Sequence, residues 1–158
     1  MTSVSVLVYA RYMSDAEDNK SWHRCRDAMT ESTKLTQKGQ NEEALRLLDD
    51  AIAMAISDNE NRWVLTLSHH AAVISNFLRN FSREKHYYEK SLEFNPEIPI
   101  ALYGLAKVAL ELGDTDLAKQ FAKRSYDATV QGDDEMAKGG LLDLIALKWP
   151  DICGLTES

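Results

Sequence analysis

Histidine and cysteine are the residues of this chain best suited to bind a metal ion, and it has four histidines and two cysteines. His69 and His70 are adjacent, so on a helix they point about 100° apart and cannot share a metal as an i, i+4 pair can. Cys25 and Cys153 lie near opposite ends and form neither a CxxC pair nor a zinc-ligand spacing. We therefore expect no metal site. The two cysteines could form one disulfide, but we expect free thiols in a reducing cytoplasm.

Residues for covalent or acid–base catalysis are also not arranged in a recognisable pattern. The serines lack a GxSxG elbow, and the sequence contains neither GxxxxGK[ST] nor GxGxxG for a phosphate or a nucleotide. Acidic pairs such as Glu42-Glu43, Asp49-Asp50 and Asp133-Asp134 are sequence neighbours, which is typical of solvated faces and helix caps. We expect a non-catalytic protein without a cofactor.

Composition narrows the class of partner. The formal net charge is −7, and an acidic surface repels phosphate backbones, so we expect no nucleic-acid partner. No stretch reaches the roughly 18–20 apolar residues of a transmembrane helix. Residues 3–10, SVSVLVYA, are too short for one, and no basic residue precedes them as in a signal peptide. A cytoplasmic protein without a membrane partner is predicted.

Apolar residues recur at three- and four-residue spacing along most of the chain, which predicts amphipathic helices. The third helix, for example, carries the stripe Val64, Leu67, Ala71, Ile74, Phe77, Leu78 and Phe81. Gly39 and Gly113 suit helix C-caps, and Pro99 suits a first turn. The seven predicted helices span about residues 22–38, 42–56, 60–80, 82–94, 99–112, 115–130 and 134–148.

Two parts of this pattern are offset copies of each other. LRNFSREKHYYEKSLEFNP, residues 78–96, aligns with ELGDTDLAKQFAKRSYDATV, residues 111–130, at an offset of about 34 residues. GQNEEALRLLDDAIAMAI, residues 39–56, resembles both. Two helices and a turn at this period resemble the tetratricopeptide repeat (TPR). The resemblance implies an all-α fold, a right-handed superhelix of about three helix-turn-helix repeats with a C-terminal capping helix.

The repeats then divide the chain. They cover about residues 22–56, 60–96 and 98–130, and with a capping helix at 134–148 they form a single domain, 14–148. The second copy departs from the pattern, because Glu84 stands where the other copies have Ala44 and Ala118. Residues 1–13, whose valines alternate with other residues, are expected to form an extended or mobile N-terminal arm, and residues 149–158 a tail.

TPR proteins hold a partner's peptide or helix in a concave groove lined by the first helix of each repeat. Asparagine and tyrosine there can hydrogen-bond a peptide backbone, and arginine and lysine favour a carboxylate. The lysine, asparagine and arginine clamp of chaperone-binding TPR domains is missing. The resemblance assigns to the groove Arg26, Met29, Thr33, Thr66, His69, Val73, Asn76, Tyr103, Lys107 and Leu110.

Three functions remain open from the sequence. The leading one is a non-catalytic adaptor or scaffold that binds a partner peptide or helix in the groove. A second is a small acidic TPR chaperone like those of bacterial type III secretion, which are similar in length, repeat count and acidity. A third is a self-assembly module, a homodimer formed through the apolar last helix. The residues assigned to that surface are Leu141, Leu144, Ile145 and Trp149, although one stripe of a capping helix would also be buried within the chain.

Overall fold

The computed structural model describes residues 20–133 and 135–154, and this part of the chain contains helices and turns but no strand. The predicted N-terminal arm, residue 134 and residues 155–158 of the predicted tail lie outside the described residues. The helices are α1 Lys20–Gln37, α2 Asn41–Ser57, α3 Asn61–Phe77, α4 Phe81–Phe94, α5 Pro99–Glu111, α6 Thr115–Gln131 and α7 Glu135–Lys148. The prediction of an all-α chain is confirmed for these residues.

One type of turn ends α1, α2, α3 and α5. In each turn a single residue has a positive φ: Gly39 (77°), Asn59 (58°), Arg79 (55°) and Gly113 (84°). The N–H of the next residue then donates to a carbonyl five residues back, as from Gln40 to Leu35 at 2.9 Å. This is the Schellman arrangement, which pairs carbonyls left open at a helix end. It ends α3 at Phe77 rather than near residue 80.

The chain divides into two compact units, Met1–His70 and Ala71–Ser158. In the first unit α1 packs on α2, and the beginning of α3 completes a small apolar core. The predicted grouping of residues 14–148 into a single domain stays a prediction. The core side chains with no exposed surface in this unit are Cys25, Ala44, Leu45, Leu48, Ala55, Val64 and Leu67.

In the second unit α5 packs against α4 and α6, and α6 packs against α7. Gly104 of α5 lies against the ring of Tyr88 on α4, and a Cβ atom at residue 104 would overlap that ring. Ser125 Oγ on α6 donates to the Pro99 carbonyl at 2.8 Å, which joins α6 to the first turn of α5. Small residues and one hydroxyl thus let three helices approach closely.

The last helix, α7, buries one apolar stripe and leaves apolar side chains exposed on another face. Leu141, Ile145 and Trp149 are buried against Tyr103 and neighbouring alanines of α5 and α6. Three of the four side chains predicted for self-association therefore belong to the core of their own unit. Leu141 and Ile145 are four residues apart and so lie on one face of α7, and Trp149 continues that face just after the helix ends. The fourth, Leu144, is 45% exposed, and Leu147, which the prediction omitted, is 80% exposed.

The close contact at Gly104 leads to a test of packing. We expect Gly104→Ala to lower the free energy of unfolding by about 1–3 kcal/mol, because the added methyl group forces the buried Tyr88 ring aside. Gly140→Ala is the matched control, since nothing lies within 4 Å of a Cβ there. Alanine in the helix interior should raise stability by up to about 1 kcal/mol. Urea unfolding followed by circular dichroism compares the two, and equal effects would contradict this account.

Candidate protein-binding surface

Five of the predicted groove residues lie in the first unit. Arg26, Thr33 and Thr66 are exposed, whereas Met29 and His69 are half-buried. Thr33 Oγ1 donates to the Met29 carbonyl and Thr66 Oγ1 to the Arg62 carbonyl, both at 3.0 Å. Each hydroxyl donates its only proton to a carbonyl of its own helix. Towards a partner these two threonines can therefore act only as hydrogen-bond acceptors.

The positive charge of Arg26 is compensated locally. Its Nη2 lies 2.9 Å and its Nε 3.2 Å from Oδ1 of Asp27. Its guanidinium carbon lies 5.4 Å from the ring centre of Trp22, within the range of a cation–π contact. An acidic partner would have to compete with Asp27 for this guanidinium.

An aromatic cleft beside Arg26 was not recognised from the sequence. The ring centres of Trp22 and Trp63 are 5.8 Å apart and the rings meet at 74°. They line a cleft of about 470 Å³ together with Glu60, Arg62 and Thr66. Ala44 and Ala118 are 74 residues apart, about six more than two 34-residue periods, and the sequence places these extra residues in SDNENRW, residues 57–63, which ends at Trp63. Two tryptophans near helix starts, one of them three residues before a predicted groove threonine, were the available signal.

The other five predicted groove residues lie in the second unit. Val73 and Asn76 of α3 are exposed, and Lys107 and Leu110 of α5 are half-buried. Tyr103 is only 5% exposed. Its ring packs edge-on against Trp149, with ring centres 6.4 Å apart. The prediction that Tyr103 offers a free surface to a partner is therefore corrected, because the segment after α7 covers it.

Glu84 is the least expected residue of this unit. It is 1% exposed, and its Oε2 accepts a hydrogen bond from Asn76 Nδ2 at 3.0 Å. Burial raises the pKa of the Glu84 carboxyl, and Glu111 raises it further, whereas the Asn76 amide and Lys107 lower it. The carboxyl fixes the orientation of the exposed Asn76, whose amide oxygen remains able to accept a hydrogen bond.

Lys107 faces both this carboxyl and an aromatic ring. Its Nζ lies 5.2 Å from the ring centre of Tyr103, and its charge lowers the pKa of Glu84. Burial raises the pKa of Tyr103, so the ring presents a neutral phenol to the ammonium group. Like Arg26, Lys107 is already engaged within the chain, which weakens its predicted attraction for an acidic partner.

Phe77 is a surface residue that the sequence placed in the core. The apolar stripe of α3 includes it, yet its side chain is 75% exposed at the end of the helix. It lies four residues after Val73 and next to Asn76, so α3 presents two neighbouring apolar side chains beside an oriented amide. The i, i+4 relation to Val73 was the signal that could have identified it.

Comparison with known proteins supports the repeat architecture. Residues 87–120, from the middle of α4 through α5 into α6, match the family model described as tetratricopeptide repeat. The C-terminal TPR-containing domain of a Plasmodium falciparum FK506-binding protein superposes with a TM-score of 0.58 at 14% identity. The match covers 87% of this chain and 98% of that domain. No curated protein sequence matches the chain.

These findings confirm the predicted TPR-like helical repeat fold. Such repeats build extended surfaces that generally mediate protein–protein interaction. Among residues 20–133 and 135–154, no helix is both long and apolar enough to span a membrane. Over the same residues, no three His, Cys, Asp or Glu side chains are grouped to hold a metal ion.

The buried carboxyl gives stability a pH dependence. Because folding raises the pKa of Glu84, this group favours folding below its ordinary value of 4.5 and loses that contribution as pH rises through the folded value. We expect Glu84→Gln to be more stable than wild type at pH 7, with the advantage shrinking as pH falls towards 4. Thermal unfolding at both pH values measures it, with Glu93→Gln, an exposed glutamate of α4, as control. An advantage that stays constant with pH would contradict the assignment.

Proposed function

We propose that the protein is a non-catalytic adaptor or scaffold that binds a peptide or helix of a partner protein through α1, α3 and α5. The observation that carries this proposal is the Asn76–Glu84 pair. A buried carboxyl with a raised pKa opposes folding at neutral pH. What the pair provides is a fixed orientation for the exposed Asn76 amide, whose free oxygen suits a backbone N–H of a peptide.

The side chains around Asn76 support the same proposal. Val73 and Phe77 are exposed on the same side of it, so one turn of α3 offers apolar area next to a hydrogen-bonding group. Buried aromatic anchors surrounded by less critical contacts dominate the energy of most protein interfaces. We therefore assign Phe77 and Asn76 as the main contacts of the second unit.

The partner segment should be held by hydrogen bonds and apolar contacts more than by charge. Arg26 is paired with Asp27, and Lys107 lies over Tyr103 near the Glu84 carboxyl. Exposed charges that are already paired add little to affinity. We expect a largely uncharged segment, in place of the acidic one that the sequence suggested.

We place the protein in a reducing compartment such as the cytoplasm. Cys25, which is buried, and Cys153, which is half-buried, are both free thiols. Burial raises the pKa of each thiol and so keeps it protonated and weakly reactive. Neither cysteine contributes a disulfide to the fold.

Affinity capture from an extract of the native cell tests the adaptor proposal. The baits are wild type, Asn76→Ala/Phe77→Ala, and Val130→Ala as an exposed apolar control on α6. A partner should be retained by wild type and by the control but lost by the double variant. With the purified partner we expect binding at least about tenfold weaker, because an anchor and a hydrogen bond are both removed. Equal retention by all three baits would refute the proposal.

Self-association is a second candidate, favoured by the exposed leucines of α7. Leu144 and Leu147 are uncovered, and a Cβ at Gly140 would meet nothing within 4 Å, so another helix could approach this face. Sedimentation velocity should show a dimer for wild type and Val130→Asp, and a monomer for Leu144→Asp/Leu147→Asp with unchanged helical content. A wild type that stays monomeric at high concentration excludes this function.

A further inference from the structure

We propose that the cleft between Trp22 and Trp63 is a pocket for an aromatic side chain of the partner segment. This inference rests on the proposed function, because it names the chemistry of one anchor that the first unit recognises. Thr66, a predicted groove residue, lines the cleft, and Arg26, another, lies over one of its two indole rings. The pocket is therefore part of the surface already assigned to the partner.

The geometry of the two rings favours a third ring. Trp22 and Trp63 meet at 74° with centres 5.8 Å apart, so they form two walls of a corner. Aromatic rings pack edge-to-face or offset with centres about 4.5–7 Å apart, which adds about 0.5–1.5 kcal/mol per pair beyond the burial of area. A cleft of about 470 Å³ also falls within the range of roughly 300–1,000 Å³ typical of ligand pockets.

The charges around the cleft select among possible occupants. Arg62 and Glu60 both line the cleft, so the lining has no net charge to hold an alkylated ammonium group. The Arg26 guanidinium already occupies the cation–π position over the Trp22 ring. A carboxylate would face Glu60 and lose water against two indole rings. A neutral aromatic ring meets neither penalty, and arginine stacks favourably on its face. The occupant with the best match is phenylalanine, tyrosine or tryptophan.

Thr66 sets the hydrogen-bonding character of one wall. Its hydroxyl proton is used at the Arg62 carbonyl, 3.0 Å away, so the oxygen can only accept from an occupant. Tyrosine could donate its phenolic proton there, whereas a backbone carbonyl of the partner would find no donor on Thr66. The pocket is thus suited to an aromatic side chain of the partner and not to its backbone carbonyl.

Binding of a small probe to the intact chain tests the pocket directly. N-acetyl-phenylalaninamide is titrated and followed by saturation-transfer NMR and by tryptophan fluorescence. Trp149, the third tryptophan of the chain, is buried in the core of the other unit and adds a constant signal. N-acetyl-prolinamide and tetramethylammonium are run in parallel. The phenylalanine probe should bind, and more tightly than either of the others.

Two variants and a control locate that binding. Trp63→Ala removes one wall, and Thr66→Trp places a ring of the chain's own in the cleft without disturbing a buried residue. Each variant should bind the phenylalanine probe at least about fivefold more weakly than wild type. Val130→Trp, which adds a tryptophan at an exposed position of α6, should bind the probe as tightly as wild type does. If Trp63→Ala loses helical content, Thr66→Trp alone decides. No binding to wild type, equal binding by all variants, or tighter binding of another probe overturns the inference.

The outcome can be separated from that of the adaptor proposal. Asn76 and Phe77 lie in the other unit, so partner capture that depends on them while the probe fails would overturn only the aromatic pocket. Probe binding at the cleft, together with capture that is lost with Thr66→Trp but not with Asn76→Ala/Phe77→Ala, would overturn the assignment of Asn76 and Phe77 and support the pocket.

Discussion

The chain reverses direction at the ends of α1, α2, α3 and α5, and each reversal depends on the same backbone constraint. A single residue with positive φ lets the next N–H reach a carbonyl five residues back, which ends the helix and begins the next within a few residues. Such tight connections bring neighbouring helices side by side, so their apolar stripes meet. The alanines buried between α5 and α6, which the turn at Gly113 connects, are a consequence of that short return.

Local signals were sufficient for the helices but not for every turn. Gly39 and Gly113 identify their turns because glycine adopts positive φ without strain. Asn59 and Arg79 occupy the same position. Asparagine adopts this conformation more readily than most side chains, whereas arginine seldom does, so only the residue type of Arg79 gave no warning. Trp149 likewise has no local mark of its contact with Tyr103. That contact depends on where α7 lies, and helical periodicity does not encode this.

The candidate site was predicted in part. Val73 and Asn76 are exposed, as the repeat pattern predicts for residues on the face of the first helix that points away from the core. Phe77 was misplaced because it lies on the shoulder of the apolar stripe, where burial depends on the neighbouring helix. Trp63 was missed because a sequence insertion hid its place in the repeat. The exposure of Phe77 and the contact of Trp63 with Trp22 both depend on distances between different helices.

Glu84 makes the middle repeat different from the others in kind. Helical repeats are often interchangeable, since each one buries similar small residues against its neighbours. Here the position filled by Ala44 and Ala118 in the other copies holds a carboxyl whose partners, Asn76 and Lys107, come from the helices before and after it. Moving this repeat elsewhere in the array would bury the Glu84 carboxyl without Asn76 and Lys107. Replacing it with a copy of another repeat would put an alanine in its place and leave a cavity. The contacts of Glu84 with the helices on both sides therefore fix the order of the repeats. A repeat cannot be inserted next to the middle one, or exchanged with it, without breaking these contacts.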